Sequence, residues 1–382
     1  MSTPLPRSEF AVTRRYAYLN HAAAGVLPLS SVSAIESFVR EHAEAGVLGT
    51  YPYDARMPEY RERIGRFIGA SGSDIAILSN TSAAAATIAA GLEWSAGDEV
   101  LLCDNEFPAN SIPWIALRRR GVDVRLLETS RERLTPDLLR REISARTRLV
   151  TVSWISYADG YRHDLKRLAS VAHAAGAQFC VDAIQGLGAF PMDVRDVDAD
   201  AVFAGASKWL LGLHGVAVLY LHRRFAERLQ LAMPGWRSVQ DMWDFHNYRQ
   251  SFSGDALRFE SGTPNVIGTL SLVGAIELLE GSGQAAIAAH VLALTDRLCD
   301  GLRRLGAEIA TIRASEVSSG IVTFALPGCD SLELGKHLER NGIVTTCRPS
   351  GIRVSPHGYN TADEIDRLLE VISLMSTKTA MV

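Results

Sequence analysis

The stretch of sequence that decides the fold is Gln178-Phe179-Cys180-Val181-Asp182-Ala183-Ile184-Gln185-Gly186. Its first half is a short apolar run, which predicts a buried β-strand that ends at Asp182. Ligands of open α/β sheets bind at the carboxyl ends of the strands, and this run places a carboxylate there. A buried carboxylate needs a cationic partner, so Asp182 is a candidate binding residue. The alternative for Asp182 is the common role of a helix cap or a turn residue.

The chain around this strand alternates short apolar runs with amphipathic stretches, a pattern typical of a doubly wound, mostly parallel α/β sheet. Residues 82–91 are rich in alanine and predict a helix, with Asn80, Thr81 and Ser82 as candidate caps. The strands that we predict for this sheet are 75–78, 99–103, 122–127, 149–154, 178–182, 201–204 and 216–221.

A change of pattern near Pro264 indicates a second, smaller α+β unit. At 382 residues the chain exceeds the size at which one core stops growing, so two domains are expected. We predict a large domain over 1–264 and a small C-terminal domain over 265–382, with the N-terminal segment 1–20 packing on the small domain. The elements predicted after the change are helices 266–279, 283–305 and 362–375 and strands 321–325, 343–346 and 352–355.

Composition excludes several classes of protein. The net charge of -4 gives no electrostatic reason to expect nucleic acid or an anionic membrane as partner. The N-terminal residues are too polar for a secretory signal, which favours a cytoplasmic location. The five cysteines are scattered without a C-x-x-C pair, so neither a disulfide framework nor a metal site is expected. Residues 201–221 are apolar, but Lys208 and His214 interrupt them, and we interpret them as strand, turn and strand rather than a membrane span.

Lys208 is the most informative lysine. Only four of the 39 Lys and Arg residues are lysines, and Lys166, Lys336 and Lys378 lie in polar helical or terminal surroundings. Lys208 instead stands in an apolar, glycine-flanked turn between two predicted strands. Desolvation in such a turn lowers the pKa of the lysine, so that part of the amine is neutral and nucleophilic near neutral pH. The alternative is a lysine that extends from a buried strand end into water.

Other segments carry weaker signals, each with an ordinary structural alternative. Thr81 and Ser82 offer hydroxyls and free backbone N–H groups to an anion, or they only cap the helix. Phe107 can cover a flat ring or belong to the core. Arg353 can bind a carboxylate in bidentate fashion or lie on the surface. A pyridinium nitrogen would suit Asp182, because the pairing keeps the ring protonated and makes it an electron sink.

Together these segments resemble the class V aminotransferase family of fold-type I pyridoxal 5′-phosphate (PLP) enzymes. This family includes cysteine desulfurases, selenocysteine lyases, kynureninases and isopenicillin N epimerase-like proteins. The resemblance spans nearly the whole chain, at Tyr18 to Gly25, Asn80 to Ser82, Glu106 to Asn110, Val181 to Gln185, Ala206 to Lys208, Pro234 to Trp236, Phe259 to Asn265 and Arg353 to Thr361.

The resemblance implies PLP as cofactor, with Lys208 as the Schiff-base lysine and Asp182 at the ring nitrogen. The remaining roles that it implies are Gln185 at the ring hydroxyl, Phe107 on the ring face, Thr81 and Ser82 at the phosphate, and Arg353 at the substrate α-carboxylate. Thr263 would reach the phosphate of a neighbouring subunit, which implies a homodimer with active sites at its interface. Trp114, Trp154, Trp236 and His21 are candidates to line the substrate pocket, and of these we predict His21 as substrate-binding.

Departures from the family pattern bear on the reaction. Desulfurases have a histidine where this chain has Phe107, and a histidine before the lysine where it has Ser207. The loop that carries their persulfide cysteine is nearly absent, because only residues 349–352 separate Arg348 from Arg353. Cys347 precedes Arg348 on a predicted strand, where a thiol is poorly placed to form a persulfide.

These observations predict a PLP-dependent enzyme on which an amino-acid substrate forms an external aldimine and Lys208 then removes the Cα proton. An aminotransferase or a cysteine C–S lyase without a persulfide cysteine is favoured. An epimerase, a conventional cysteine desulfurase and a non-catalytic PLP-fold sensor are the alternatives. No G-x-G-x-x-G or P-loop follows a strand at the proper place, which argues against a nucleotide enzyme.

Overall fold

A computed structural model describes residues 3–129, 132–348 and 351–379. The α-helices in these ranges are α1 (Leu29–Ala45), α2 (Val47–Ala55), α3 (Met57–Phe67), α4 (Thr81–Gly91), α5 (Ile112–Ile115), α6 (Pro136–Glu142), α7 (Leu165–Ala174), α8 (Val194–Val197), α9 (Arg223–Ala226), α10 (Val266–Ser282), α11 (Gln284–Arg304), α12 (Ser331–Arg340) and α13 (Ala362–Thr379). The strands are β1 (Ala17–Tyr18), β2 (Ile75–Leu78), β3 (Glu99–Cys103), β4 (Asp123–Leu127), β5 (Thr147–Ser153), β6 (Gln178–Asp182), β7 (Ala201–Gly205), β8 (Ala217–Leu221), β9 (Glu308–Ile309), β10 (Val322–Ala325), β11 (Ile343–Val344), β12 (Thr346–Arg348) and β13 (Gly351–Val354).

A seven-stranded sheet organises the large domain, in the order β2-β8-β7-β6-β5-β3-β4. Strand β8 is antiparallel to both of its neighbours, and every other adjacent pair is parallel. Both faces of the sheet are covered: on β6, Phe179 and Val181 belong to one buried cluster and Cys180 to another. The predicted doubly wound α/β fold is therefore confirmed, with all seven strands found within two residues of their predicted ends.

The small-domain sheet has four antiparallel strands in the order β12-β13-β10-β9. The predicted strand 343–346 is wrong as a single element, because β11 pairs with β1 whereas β12 pairs with β13. Strands β1 and β9 have two residues each, too few to show a periodic pattern in the sequence.

The N-terminal segment contacts the C-terminal part of the chain. Strand β1 runs parallel to β11, and the Leu5 N–H donates to the Gly358 carbonyl at 3.2 Å. Ala17 and Leu19 lie in the same buried cluster as Ile343 and Val354. The position of the boundary between the two domains, at 264/265, stays a prediction.

Two further expectations concern membrane spans and cysteines. Residues 201–221 form the antiparallel pair β7 and β8 with a turn between them, as predicted. Over the described ranges no single helix is long and apolar enough to cross a membrane, although α10 and α11, bent by 82°, pass that test as a pair. Cys103, Cys180 and Cys299 are buried free thiols.

Candidate active site

The candidate site lies where the parallel strands of the large sheet end. Asp182 is the last residue of β6 and pairs in register with Ser153, the last residue of β5. Lys208 follows β7, and Glu106 follows β3. Because these strands run in one direction, their carboxyl ends meet at a single edge of the sheet and bring the polar residues together.

Asp182 is buried, with 1% of its surface exposed, and only half of its carboxylate is paired. Its Oδ1 accepts a hydrogen bond from the Ile184 N–H at 3.0 Å, whereas its Oδ2 has no hydrogen-bond partner. Burial raises the pKa of Asp182 to about 6, against the opposing effects of the Ile184 N–H and the Lys208 charge. An unpaired buried carboxylate oxygen is costly, so Oδ2 suits a ligand that brings a cationic N–H donor.

Lys208 is a half-buried residue, and its amine lies 5.2 Å from the centre of the Phe107 ring. Burial, opposed by the Asp182 charge and aided by the charges of Arg353 and Arg348, lowers the pKa of Lys208 to about 8. A substantial fraction of the amine is therefore neutral, and nucleophilic, near neutral pH.

The turn that carries Lys208 is fixed by the N-terminal segment. The Gly25 N–H donates to the Ser207 carbonyl at 2.7 Å, and a Cβ added to Gly25 would lie 2.0 Å from the Lys208 carbonyl oxygen. The Trp209 indole N–H donates to the Gln185 Oε1 at 2.8 Å. Glycine is required at position 25 because the two backbones approach too closely for any side chain.

Replacing Gly25 by alanine is expected to displace the Lys208 turn and to destabilise the protein by about 1–3 kcal/mol, the usual cost of overpacking. Urea unfolding measures the change in free energy. Gly254→Ala is the matched control, since a Cβ at Gly254 meets no atom within 4 Å. Equal stability of Gly25→Ala and wild type would show that this contact does not hold the turn.

Gln185 has 3% of its surface exposed and is held at both ends of its amide. Its Nε2 donates to the Ala22 carbonyl at 3.0 Å, and its Oε1 accepts from Trp209. One of the two N–H bonds of Nε2 is left to donate to a ligand. The proposed contact with a ring hydroxyl is compatible with this geometry.

The N-terminus of α4 lies at the same edge of the sheet. Asn80 is the cap of this 11-residue helix, because its Oδ1 accepts from the Ala83 N–H at 2.8 Å. Thr81 is buried, and its Oγ1 accepts from the Gly205 N–H at 3.1 Å, which ties the helix to β7. Ser82 is exposed. The first N–H groups of a helix have no intrahelical partner and can bind a phosphate.

Arg353 connects the small domain to the site. It is 4% exposed, which rules out the alternative of a surface arginine. Its Nη1 donates to the Tyr157 carbonyl at 2.7 Å and its Nη2 to Thr346 Oγ1 at 3.3 Å, whereas the buried Nε has no partner. Burial and the Arg348 charge lower the pKa of Arg353 to about 10. An unpaired guanidinium N–H suits a substrate carboxylate.

Phe107 is 40% exposed, so the alternative that it belongs to the core is wrong. Its ring lies edge-on to that of Tyr157, at 5.3 Å between centres, and faces the Lys208 amine. An aromatic face beside the lysine is where the resemblance places a stacking side chain.

The predicted contact of His21 with substrate stays a prediction, and within the protein its ring has other partners. It is fully buried, and its Nδ1 and Nε2 lie 3.1 Å from the Ser355 carbonyl and 2.9 Å from the Tyr359 hydroxyl. Burial holds the pKa of His21 well below its usual value. Through these two contacts the His21 ring ties the N-terminal segment to the C-terminal part of the chain.

Thr263 has no contact with Lys208 in the described part of the chain. It is exposed and lies in a separate cleft of about 490 Å³ with Tyr51, Trp236 and Trp243. Its predicted role at the phosphate of a neighbouring subunit stays a prediction.

Two residues of the site were not predicted. Glu106 accepts hydrogen bonds from the Ser153 N–H at 2.7 Å and from Asn110 Nδ2 at 3.0 Å, and burial raises its pKa to about 7. Tyr157 binds Arg353 through its carbonyl oxygen and contacts Phe107 through its ring. Glu106 was visible only as part of a motif, and Tyr157 lies in a loop that no pattern marks.

Comparison with known proteins shows the family of this chain. The family model described as aminotransferase class-V matches residues 17–368. This chain belongs to the class V aminotransferase family. A probable cysteine desulfurase of Methanothermobacter thermautotrophicus is 30% identical, over 97% of this chain and 98% of the relative.

Solved structures show the same fold. The apo structure of a cysteine desulfurase from Thermococcus onnurineus has a TM-score of 0.90 at 24% identity, covering 99% of this chain and 100% of the other. A mutant of the protein C-DES, with glycine covalently linked to its PLP cofactor, has a TM-score of 0.88 at 22% identity, covering 96% and 99%.

Cys347 of this class V chain has the surroundings of a structural thiol. Its Sγ donates to the Ser331 carbonyl at 2.8 Å, and burial raises its pKa. A thiol that forms a persulfide needs an accessible thiolate. Residues 349 and 350 of the shortened loop lie outside the described ranges.

Proposed function

We propose that this class V chain binds PLP through Lys208 and acts on an α-amino acid, as an aminotransferase or a cysteine-type C–S lyase that uses no persulfide cysteine. The observation that carries the proposal is the unpaired, buried Oδ2 of Asp182 beside a lysine whose pKa is lowered to about 8. When bound, PLP supplies an electron-withdrawing ring that stabilises negative charge at the substrate Cα.

The residues around Lys208 fit each part of the cofactor. Asp182 Oδ2 would accept the N–H of the ring nitrogen, and the free N–H of Gln185 would donate to the ring hydroxyl. Phe107 would cover one face of the ring. The N–H groups of Thr81 and Ser82 would hold the phosphate at the start of α4, where the helix dipole favours an anion.

Lys208 acts as the general base of the reaction. With the cofactor bound, Lys208 would hold it covalently and, once displaced by the substrate amine, would take the proton from the substrate Cα at its Nζ. Arg353 binds the α-carboxylate and so fixes which substituent of Cα faces the lysine. A pKa near 8 lets the amine take and return a proton near neutral pH.

The choice of reaction follows from the side chains near Lys208. Epimerisation by two bases needs an acid or base on each face of Cα, and Phe107 supplies neither. The bonded, half-buried Cys347 does not favour transfer of sulfur to a protein thiol. The structural neighbour C-DES is described as a cystine C-S lyase in complex with its reaction product cysteine persulfide, which supports the lyase alternative.

Absorption spectroscopy of PLP-reconstituted protein tests the proposal. A visible band of bound PLP that shifts with L-cysteine, while pyruvate and sulfide are released, indicates a C–S lyase. A keto acid without sulfide, together with the spectrum of the aminated cofactor, indicates an aminotransferase. A protein that shows no such band after addition of PLP contradicts the proposed function.

We also propose a homodimer. Segment 236–252 carries exposed aromatic rings, and those of Trp236, Trp243 and Phe245 contact one another at 5.7–6.4 Å. Tyr248 is 93% exposed, and the cleft with Thr263 adjoins this cluster. An apolar patch of this kind marks an interaction surface, and a second copy that covers it would place Thr263 at the interface.

Replacing Trp243 by glutamate is expected to convert a dimer of the wild type into a monomer, because a charge would be buried at the interface. Light scattering coupled to gel filtration measures the mass. Leu374→Glu is the control, since Leu374 is 58% exposed on α13, outside the cluster. A monomeric wild type, or a dimeric Trp243→Glu variant, would contradict the proposed dimer.

A further inference from the structure

Three basic side chains, those of Lys208, Arg348 and Arg353, lie close enough for their charges to interact. The charges of Arg348 and Arg353 both lower the pKa of Lys208, and Arg348 also lowers that of Arg353. In the described ranges no carboxylate lies within 4.0 Å of either guanidinium, and Arg348 forms no ion pair. Asp182 and Glu106 supply negative charge deeper in the site, but within the described ranges neither guanidinium has a carboxylate partner.

Tyr157 brings the two guanidinium groups to one place. Its carbonyl accepts a hydrogen bond from Arg353, and the Arg348 guanidinium carbon lies 5.3 Å from the centre of its ring. Arg348 is the last residue of β12, which pairs with β13, the strand of Arg353. Its stacking on an aromatic face leaves the edges of the guanidinium free to donate.

The anionic groups that PLP and an amino acid would bring do not provide a partner for each of Lys208, Arg353 and Arg348. Lys208 would lose its free ammonium when it carries the cofactor, and Asp182 would pair with the ring nitrogen. The phosphate is assigned to the start of α4. The α-carboxylate of the substrate pairs with Arg353, and this leaves Arg348 without an anion.

We propose that Arg348 binds a second acid group, so that the substrate is an α-amino acid whose side chain ends in a carboxylate, sulfinate or sulfonate. The proposal rests on the proposed function, because that function assigns Arg353 to the α-carboxylate. A planar guanidinium forms two parallel hydrogen bonds to such a group, which gives both affinity and selection against neutral side chains.

Calorimetric titration of the PLP-reconstituted protein with succinate and with succinamate tests this inference. Succinamate has the size of succinate, but a neutral amide replaces one carboxylate. We expect wild type to bind succinate about 10–100-fold more tightly, since a hydrogen bond to a charged group is worth that factor. Arg348→Gln should bind both ligands as weakly as wild type binds succinamate. Arg348→Lys should recover part of the preference for succinate.

Arg340→Gln is the matched control, because it removes an arginine from the exposed face of α12, where its Nε bonds only the Lys336 carbonyl. It should leave both affinities unchanged. Equal binding of the two ligands by wild type overturns the proposal, as does an equal loss of both in Arg348→Gln.

Failure of the proposed function is a separate result. A protein that binds no PLP would lack the visible band, whereas the succinate preference can still be titrated in the PLP-free protein, because both arginines belong to the chain itself. If the protein prefers succinate but shows no visible band of bound PLP, the proposed arginine site stands and the proposed PLP function is wrong.

Discussion

Lys208→Ala is expected to lower the turnover of any amino-acid substrate by about 1,000-fold or more, because one side chain serves both as covalent attachment point and as general base. The variant should also lose the visible band of bound PLP. Borohydride reduction followed by peptide mass spectrometry should find PLP on Lys208 of the wild type and on no lysine of the variant.

Lys336→Ala is the control for loss of a lysine, since Lys336 is exposed and pairs with Glu333 at 2.8 Å. It should keep both the band and the turnover. The variant Lys208→Ala should fold, because burial of the Lys208 amine opposes its charged form. Reducible PLP on the chain of Lys208→Ala would contradict the assignment of the lysine.

The sequence predicts the large sheet well because each of its strands is a short apolar run between turn signals. Asp182 and Lys208 are found for the same reason. Each interrupts or ends an apolar run, and a charged residue in such a place is a candidate for a functional site. Their meeting in space follows from parallel strands alone. The orphaned Oδ2 of Asp182, however, depends on what each neighbouring atom bonds, and no pattern in the chain reports that.

What the sequence could not predict has the same physical origin. His21 and Arg353 each lie in a segment that resembles the family, but His21 has both ring nitrogens bonded whereas Arg353 keeps a free N–H. Tyr157 acts partly through a backbone carbonyl, which every residue has. Strands β11 and β12 are separate because β11 pairs with β1 whereas β12 pairs with β13. Such long-range pairing cannot be read from a window of four residues.

Asp182→Asn is expected to lower turnover by about 100-fold or more, while stabilising the PLP-free protein at neutral pH. The asparagine keeps an oxygen for the Ile184 N–H but carries no charge to hold a proton on a ring nitrogen. Loss of one such preorganised electrostatic contact typically costs a factor of about 100–1,000. The activity of PLP-reconstituted variant and wild type, measured at saturating PLP, gives the first of the two effects.

The gain in stability depends on pH in a defined direction. The pKa of Asp182 rises from 3.8 to about 6 on folding, so the folded protein binds more protons than the unfolded chain between these values. The contribution of Asp182 to stability therefore falls as the pH rises from about 4 to about 6, by about 3 kcal/mol at most. Asparagine does not titrate, so the advantage of Asp182→Asn should be absent at pH 4 and complete above pH 6.

Urea unfolding of the PLP-free proteins at pH 4, 5, 6 and 7 measures this dependence. Asp366→Asn is the control, because Asp366 is exposed and pairs with Arg297, which lowers its pKa instead. Its loss should change stability little and in the opposite direction. If Asp182→Asn instead destabilises the PLP-free protein equally at all four pH values, the carboxylate has a structural partner and Oδ2 is not reserved for a cofactor. At saturating PLP the wild type should instead be more stable than Asp182→Asn, because only the wild-type carboxylate gains a cationic partner when the cofactor binds.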